Sequence, residues 1–134
     1  MTPCIMVIES NQCLRELLCD VLTDEDYAVV VYATPEPALA DLPRIKPDVI
    51  ILDWCLGWEE RGMQVLQQLR LRPAGAVLPV LVCSAATCQV QELEPFLQTR
   101  DVRVVYKPFG VEEVLGAINA VIEGRGESQV PRVT

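Results

Sequence analysis

Five short apolar runs rich in β-branched residues, Cys4 to Ile8, Ala28 to Tyr32, Val49 to Leu52, Val80 to Cys83 and Val102 to Tyr106, alternate with segments of helical period. Strands this continuously apolar have no polar face to offer water, so the sheet they form must be covered on both sides. Alternation with helices supplies that cover, and it predicts a parallel, doubly wound α/β sheet joined by right-handed crossovers.

The intervening segments carry helix signals of their own. Leu14, Leu17, Leu18, Val21 and Leu22 recur at three- and four-residue spacing, with Ser10 or Asn11 placed to cap that helix and a turn at Thr23 to Asp26 to end it. A second helix starts at Thr34-Pro35, and Pro43 and Pro47 bracket its exit. A third turns Met63, Leu66 and Leu69 inward and closes at Pro73-Ala74-Gly75. A fourth spans about Thr87 to Leu97, interrupted by Pro95. A fifth runs from Val111 to about Glu123 with Gly124 as its stop. The expected division is one domain over residues 1–124 and a polar C-terminal tail over 125–134.

Composition narrows the function classes. The 134 residues, 51% hydrophobic and 22% charged, suit one globular domain that buries roughly two thirds of its unfolded surface without disulfide or metal. A net charge of −8 repels nucleic-acid phosphates and anionic lipid, and two Phe, two Trp and three Tyr are too few for a base-stacking platform. The longest apolar stretch, Ala76 to Ala86, is interrupted by Pro79 and Ser84 and falls short of the roughly 20 residues a membrane-crossing helix needs. With no basic secretion signal at the N-terminus, a cytoplasmic protein is expected, bound to neither membrane nor nucleic acid.

The chain has no histidine, which excludes imidazole bases, imidazole-ligated metals and a phosphohistidine of its own. Cysteines at 4, 13, 19, 55, 83 and 88 contain no Cys-x-x-Cys pair and are expected to be reduced and mostly buried. Trp54 and Trp58, beside Asp53, are expected to pack over the neighbouring loop.

In doubly wound sheets ligands bind beyond the carboxyl ends of the strands. There the chain places Glu9-Ser10 after the first strand, Asp53 after the third, Ser84 after the fourth and Lys107-Pro108 after the fifth. Carboxylates, a hydroxyl and an ammonium therefore converge on one sheet edge.

Four stretches, Ile5-Met-Val-Ile-Glu-Ser10, Val49-Ile-Ile-Leu-Asp53, Val80-Leu-Val-Cys-Ser-Ala85 and Tyr106-Lys-Pro-Phe109, occur in this order, and from Ile5 to about Ile122 the chain resembles the receiver domain of two-component response regulators. The resemblance implies a CheY-like, flavodoxin-like sandwich of five strands in the order 2-1-3-4-5. It implies that Asp53 accepts a phosphoryl group from a sensor histidine kinase or a His-containing phosphotransfer protein, and that Ser84 and Lys107 bind that group. It further implies Mg²⁺ held by Glu9, Asp53 and the backbone carbonyl of Cys55, and a downstream protein target on the face of the fourth helix, fifth strand and fifth helix. Such a domain accepts a phosphoryl group without being a turnover enzyme, and dimerisation is left open.

The departures from that pattern are specific. Receivers normally carry two acids after the first strand, the second a direct metal ligand, whereas this chain reads Glu9-Ser10. Ser10 offers only a neutral oxygen or a water bridge, which predicts weak Mg²⁺ binding. Gly57 stands at the family's proline position, and Gly62 follows Asp53 by nine residues instead of the family's eight. Val104 replaces the aromatic residue often found three positions before the lysine. Ser10 and Val104 keep a second reading alive, a pseudo-receiver that binds proteins without phosphorylation. Flavodoxin and haloacid-dehalogenase chemistry are disfavoured, because Glu9 to Cys13 holds no glycine and Glu9 stands where the phosphatase nucleophile would be.

Overall fold

The computed structural model describes residues 2–54, 61–84, 102–106 and 110–129. In chain order these form β1 (Cys4–Ile8), α1 (Gln12–Asp24), β2 (Ala28–Tyr32), α2 (Pro35–Ile45), β3 (Val49–Asp53), α3 (Arg61–Leu71), a 3-10 turn (Pro73–Gly75), β4 (Val80–Ser84), β5 (Val102–Tyr106) and a C-terminal helix (Val111–Gln129). The strands make one parallel sheet in the order β2-β1-β3-β4-β5. The segment expected to form a fourth helix, Thr87 to Leu97, lies outside the described residues, as do Cys55 and Lys107.

Successive strand residues alternate between the two sheet faces, and this splits the core in two. Met6, Ile8, Ile50 and Leu52 pack with Ala38, Leu39 and Leu42 of α2 and Val65, Leu66 and Leu69 of α3. Ile5, Val7 and Ile51 pack on the opposite face with Leu18 and Leu22 of α1 and Val114 and Ile118 of the C-terminal helix. Each such fully buried aliphatic side chain stabilises the fold by roughly 1.5–3 kcal/mol relative to exposure. All five residues of β3 and of β4 are buried, whereas β2, at the sheet edge, is half exposed.

Asn11 is the cap of α1: its side chain accepts a 3.0 Å bond from the Leu14 N–H. Only part of the apolar spacing in α1 faces the sheet. Leu14, Leu18 and Leu22 form that stripe, while Leu17, one residue off it, is 48% exposed.

The exit of α2 falls between Pro43 and Pro47 as its sequence signals indicate, whereas the C-terminal helix ends later than expected. α2 passes through Pro43 to Ile45 and ends at Lys46, which adopts the left-handed conformation (φ 50°) and donates to Leu42 O. A proline near the last turn removes one N–H donor, and burial of Ala38, Leu39 and Leu42 keeps the helix together. The C-terminal helix continues past Gly124 to Gln129, since glycine permits a left-handed cap without compelling one. The thiols differ too: of the four described, Cys83 is buried, Cys4 and Cys19 are half-buried and Cys13 is exposed. Cys13 and Cys19 ride on α1 away from its Leu14, Leu18 and Leu22 stripe.

Candidate functional site

The strand order reverses between β1 and β3, and the residues leaving these strands are Glu9 and Asp53. Both carboxylates are buried, at 1% and 5% exposure, as is Ser84 at the end of β4 at 1%. Pairing of Asp53 with Cys83 places Ser84 one residue further along the neighbouring strand. Three polar side chains expected at the carboxyl edge are therefore placed at neighbouring strand ends, and among the described residues they are the buried polar ones.

Hydrogen bonds define the geometry. Ser10 Oγ donates to Asp53 Oδ2 at 2.9 Å, linking the loop after β1 to the end of β3. Glu9 N–H donates to Tyr32 O at 3.0 Å, which extends the β1–β2 ladder, and Glu9 Oε2 accepts from Asn11 N–H at 3.1 Å. Trp54 N–H donates to Cys83 O at 2.9 Å and so locks the residue after Asp53 against β4. Trp54 is 3% exposed and belongs to the α2/α3 side of the core, in place of the expected packing over the neighbouring loop; Trp58 and that loop lie outside the described residues. Gly62, in the first turn of α3, lies against it: a Cβ there would sit 2.7 Å from Trp54 Cδ2.

Ser84 Oγ is buried and has no hydrogen-bond partner among the described residues. A buried hydroxyl left without a partner costs about 1–3 kcal/mol. Glu9, Asp53 and the Ser10 hydroxyl are hard oxygen donors, the chemistry Mg²⁺ takes, and Mg²⁺ is commonly held by one or two carboxylates with water completing its shell. Among the described residues no three His, Cys, Asp or Glu side chains cluster into a metal cage, so the donor set fits Mg²⁺ while being sparse.

Sequence reasoning missed Arg15. Its Nη1 donates to Glu9 O at 2.9 Å and to Ser10 O at 3.4 Å, clasping the loop that carries both site residues. One signal was available: a cation close to the N-terminus of α1 opposes the helix dipole, which points to a specific partner outside the helix.

The fold and site together define a doubly wound α/β domain whose polar centre lies at the topological switch point. The chain belongs to the response regulator receiver domain family, whose model matches residues 5–119. It is 30% identical over 122 residues to the phosphate regulon transcriptional regulatory protein PhoB of Rhizobium meliloti, covering 91% of this chain and 53% of that protein. It is 29% identical to the probable transcriptional regulatory protein TcrX of Mycobacterium tuberculosis, covering 94% and 52%. The chain thus spans about half the length of the curated relatives it matches. Among solved structures, the chemotaxis protein CheY4 of Vibrio cholerae superposes with a TM-score of 0.79 at 21% identity, covering 90% of this chain and 99% of that one. The receiver domain of the sensor histidine kinase PA1611 of Pseudomonas aeruginosa, solved with a magnesium ion coordinated in its active-site cleft, superposes with a TM-score of 0.76 at 19% identity, covering 92% and 99%. Receiver domains of two-component systems are signalling modules, not turnover enzymes, and phosphorylation and Mg²⁺ are typical of the family. No helix among the described residues is long and apolar enough to cross a membrane.

Proposed function

We propose that this domain is a phosphorylatable receiver in which Asp53 takes a phosphoryl group from a sensor histidine kinase or a His-containing phosphotransfer protein. The observation that supports the reading is a buried Ser84 hydroxyl, without a partner among the described residues, at the end of the strand that pairs with the one ending in the buried Asp53. A hydroxyl there donates to an incoming phosphoryl oxygen without adding charge. A bond forms between an Asp53 carboxylate oxygen and phosphorus as the P–N bond of the partner's phosphohistidine breaks, and the released imidazole nitrogen takes up a proton.

Transfer of this kind is mostly positioning and charge neutralisation. Glu9, Asp53 and the Cys55 carbonyl would hold Mg²⁺, with Ser10 contributing directly or through water, and the bound cation would supply positive charge to offset that on the phosphoryl oxygens. Lys107 supplies a second positive charge as the residue matching the family lysine. The added negative charge, up to about two units, biases the domain between two conformations and changes the face of the fourth helix, fifth strand and fifth helix that a downstream protein reads. The net charge of −8 argues against direct nucleic-acid binding by this domain, and the work is done in the cytoplasm.

Intact mass after incubation with acetyl phosphate and Mg²⁺ tests the reading. One added phosphoryl group in the wild type, lost in Asp53→Ala, is expected. A wild type that stays unlabelled at every Mg²⁺ concentration overturns it in favour of a phosphorylation-independent protein-interaction module.

A further inference from the structure

The loop from Glu9 to Asn11 is tied at each residue. Glu9 N–H bonds Tyr32 O, Asn11 N–H bonds the Glu9 carboxylate, and the Ser10 hydroxyl bonds Asp53 Oδ2 at 2.9 Å. The two carbonyl oxygens turned away from these contacts, those of Glu9 and Ser10, both accept from Arg15 Nη1, at 2.9 and 3.4 Å. A peptide unit is planar, so holding the carbonyls of two successive residues sets the orientation of the backbone from which the Ser10 side chain projects. Arg15 itself touches neither carboxylate of the site in any of these bonds. It is half-buried on α1 and lines an open surface groove with Glu16, Cys19, Asp20 and Val31, so replacing it opens no cavity in the core.

We propose that Arg15 is a positioning residue for the Asp53 site: by clasping the Glu9 and Ser10 carbonyls it keeps the Ser10 hydroxyl bonded to Asp53, and it acts on the acceptor carboxylate through that hydroxyl. The consequence for phosphoryl transfer rests on the phosphoacceptor reading, whereas the coupling between Arg15 and Ser10 does not.

A double-substitution cycle separates the two. Ser10→Ala removes the hydroxyl but keeps the carbonyl that Arg15 grips, so any dependence of one substitution on the other passes through the Ser10–Asp53 bond. Wild type, Ser10→Ala, Arg15→Gln and the double variant are compared by urea unfolding and by the rate of labelling with acetyl phosphate and Mg²⁺. Arg15→Gln is expected to slow labelling about fivefold in the wild type and to leave it nearly unchanged once Ser10 is alanine, with a matching coupling of about fivefold in the unfolding equilibrium constant. Arg15→Lys, which retains a donor, is expected to recover most of the rate. Effects that simply multiply in both readouts, or an Arg15→Gln variant that loses stability while labelling at the wild-type rate, overturn the proposal. Absence of labelling in the wild type overturns the phosphoacceptor reading instead, and the unfolding cycle then decides the role of Arg15 by itself.

Discussion

Ser10 Oγ donates a 2.9 Å hydrogen bond to Asp53 Oδ2, joining two residues 43 positions apart at the place where the strand order reverses. A hydroxyl can close this gap because it brings a donor and no charge. A carboxylate at position 10 would repel Asp53 and would need a cation to hold the pair together.

Ser10→Asp is therefore expected to exchange stability without metal for affinity toward metal. Lost hydrogen bonding and like-charge repulsion lower the metal-free stability by about 1–2 kcal/mol. A third carboxylate oxygen set tightens Mg²⁺ binding by about tenfold and speeds labelling of Asp53. Tryptophan fluorescence titrated with Mg²⁺, and urea unfolding with and without the ion, measure both arms; unchanged Mg²⁺ affinity would show that the hydroxyl does not limit the site.

Ser84→Ala separates folding from function in the opposite sense. Removing a buried hydroxyl that has no partner among the described residues relieves an unsatisfied group, so the unliganded domain is expected to gain about 1 kcal/mol. The same change removes a donor to the phosphoryl group and slows labelling. A variant that is less stable than the wild type by urea unfolding would mean that the hydroxyl is satisfied in the resting protein.

Gly62→Ala drives a methyl group into the residue beside the acceptor. The new Cβ would lie 2.7 Å from Trp54 Cδ2 and 2.8 Å from the Trp54 carbonyl carbon, closer than packed atoms approach. Overpacking of this kind costs about 1–3 kcal/mol. Because Trp54 follows Asp53 directly, a shifted tryptophan emission maximum together with slower labelling is the expected pair of readouts.

Alkaline pH is expected to weaken the fold through Tyr32. Burial first, and then the hydrogen bond its hydroxyl donates to Asp41 at 2.7 Å, raise its pKa above the ordinary 10.0. Its contribution is complete below the unfolded pKa and is lost as pH rises through the higher folded value, so stability falls from about pH 10 upward. Tyr27, raised chiefly by burial, and the half-buried Cys4 thiol, raised by burial and then by Asp48, act in the same direction. Tyr32→Phe loses about 1 kcal/mol at neutral pH and flattens the alkaline slope, both measurable as urea midpoints from pH 7 to 11; an unaltered slope would assign the effect to Tyr27 and Cys4.

The five strands, the two-sided cover and the meeting of Glu9, Asp53 and Ser84 at one edge were all legible in the sequence, because alternation, helical period and strand ends are local properties that tertiary packing here reinforces. The exit of α2 between Pro43 and Pro47 was legible too, but the stop expected at Gly124 was not, because continued helical structure prevails over a residue that only permits an end. What the tertiary structure alone decided is how the site is held. The Ser10–Asp53 bond, the Arg15 clasp and the contact of Gly62 with Trp54 each depend on positions good to a fraction of an ångström. Such positions follow from strand register and helix packing, which sum over the whole chain, and no short stretch of sequence carries that sum.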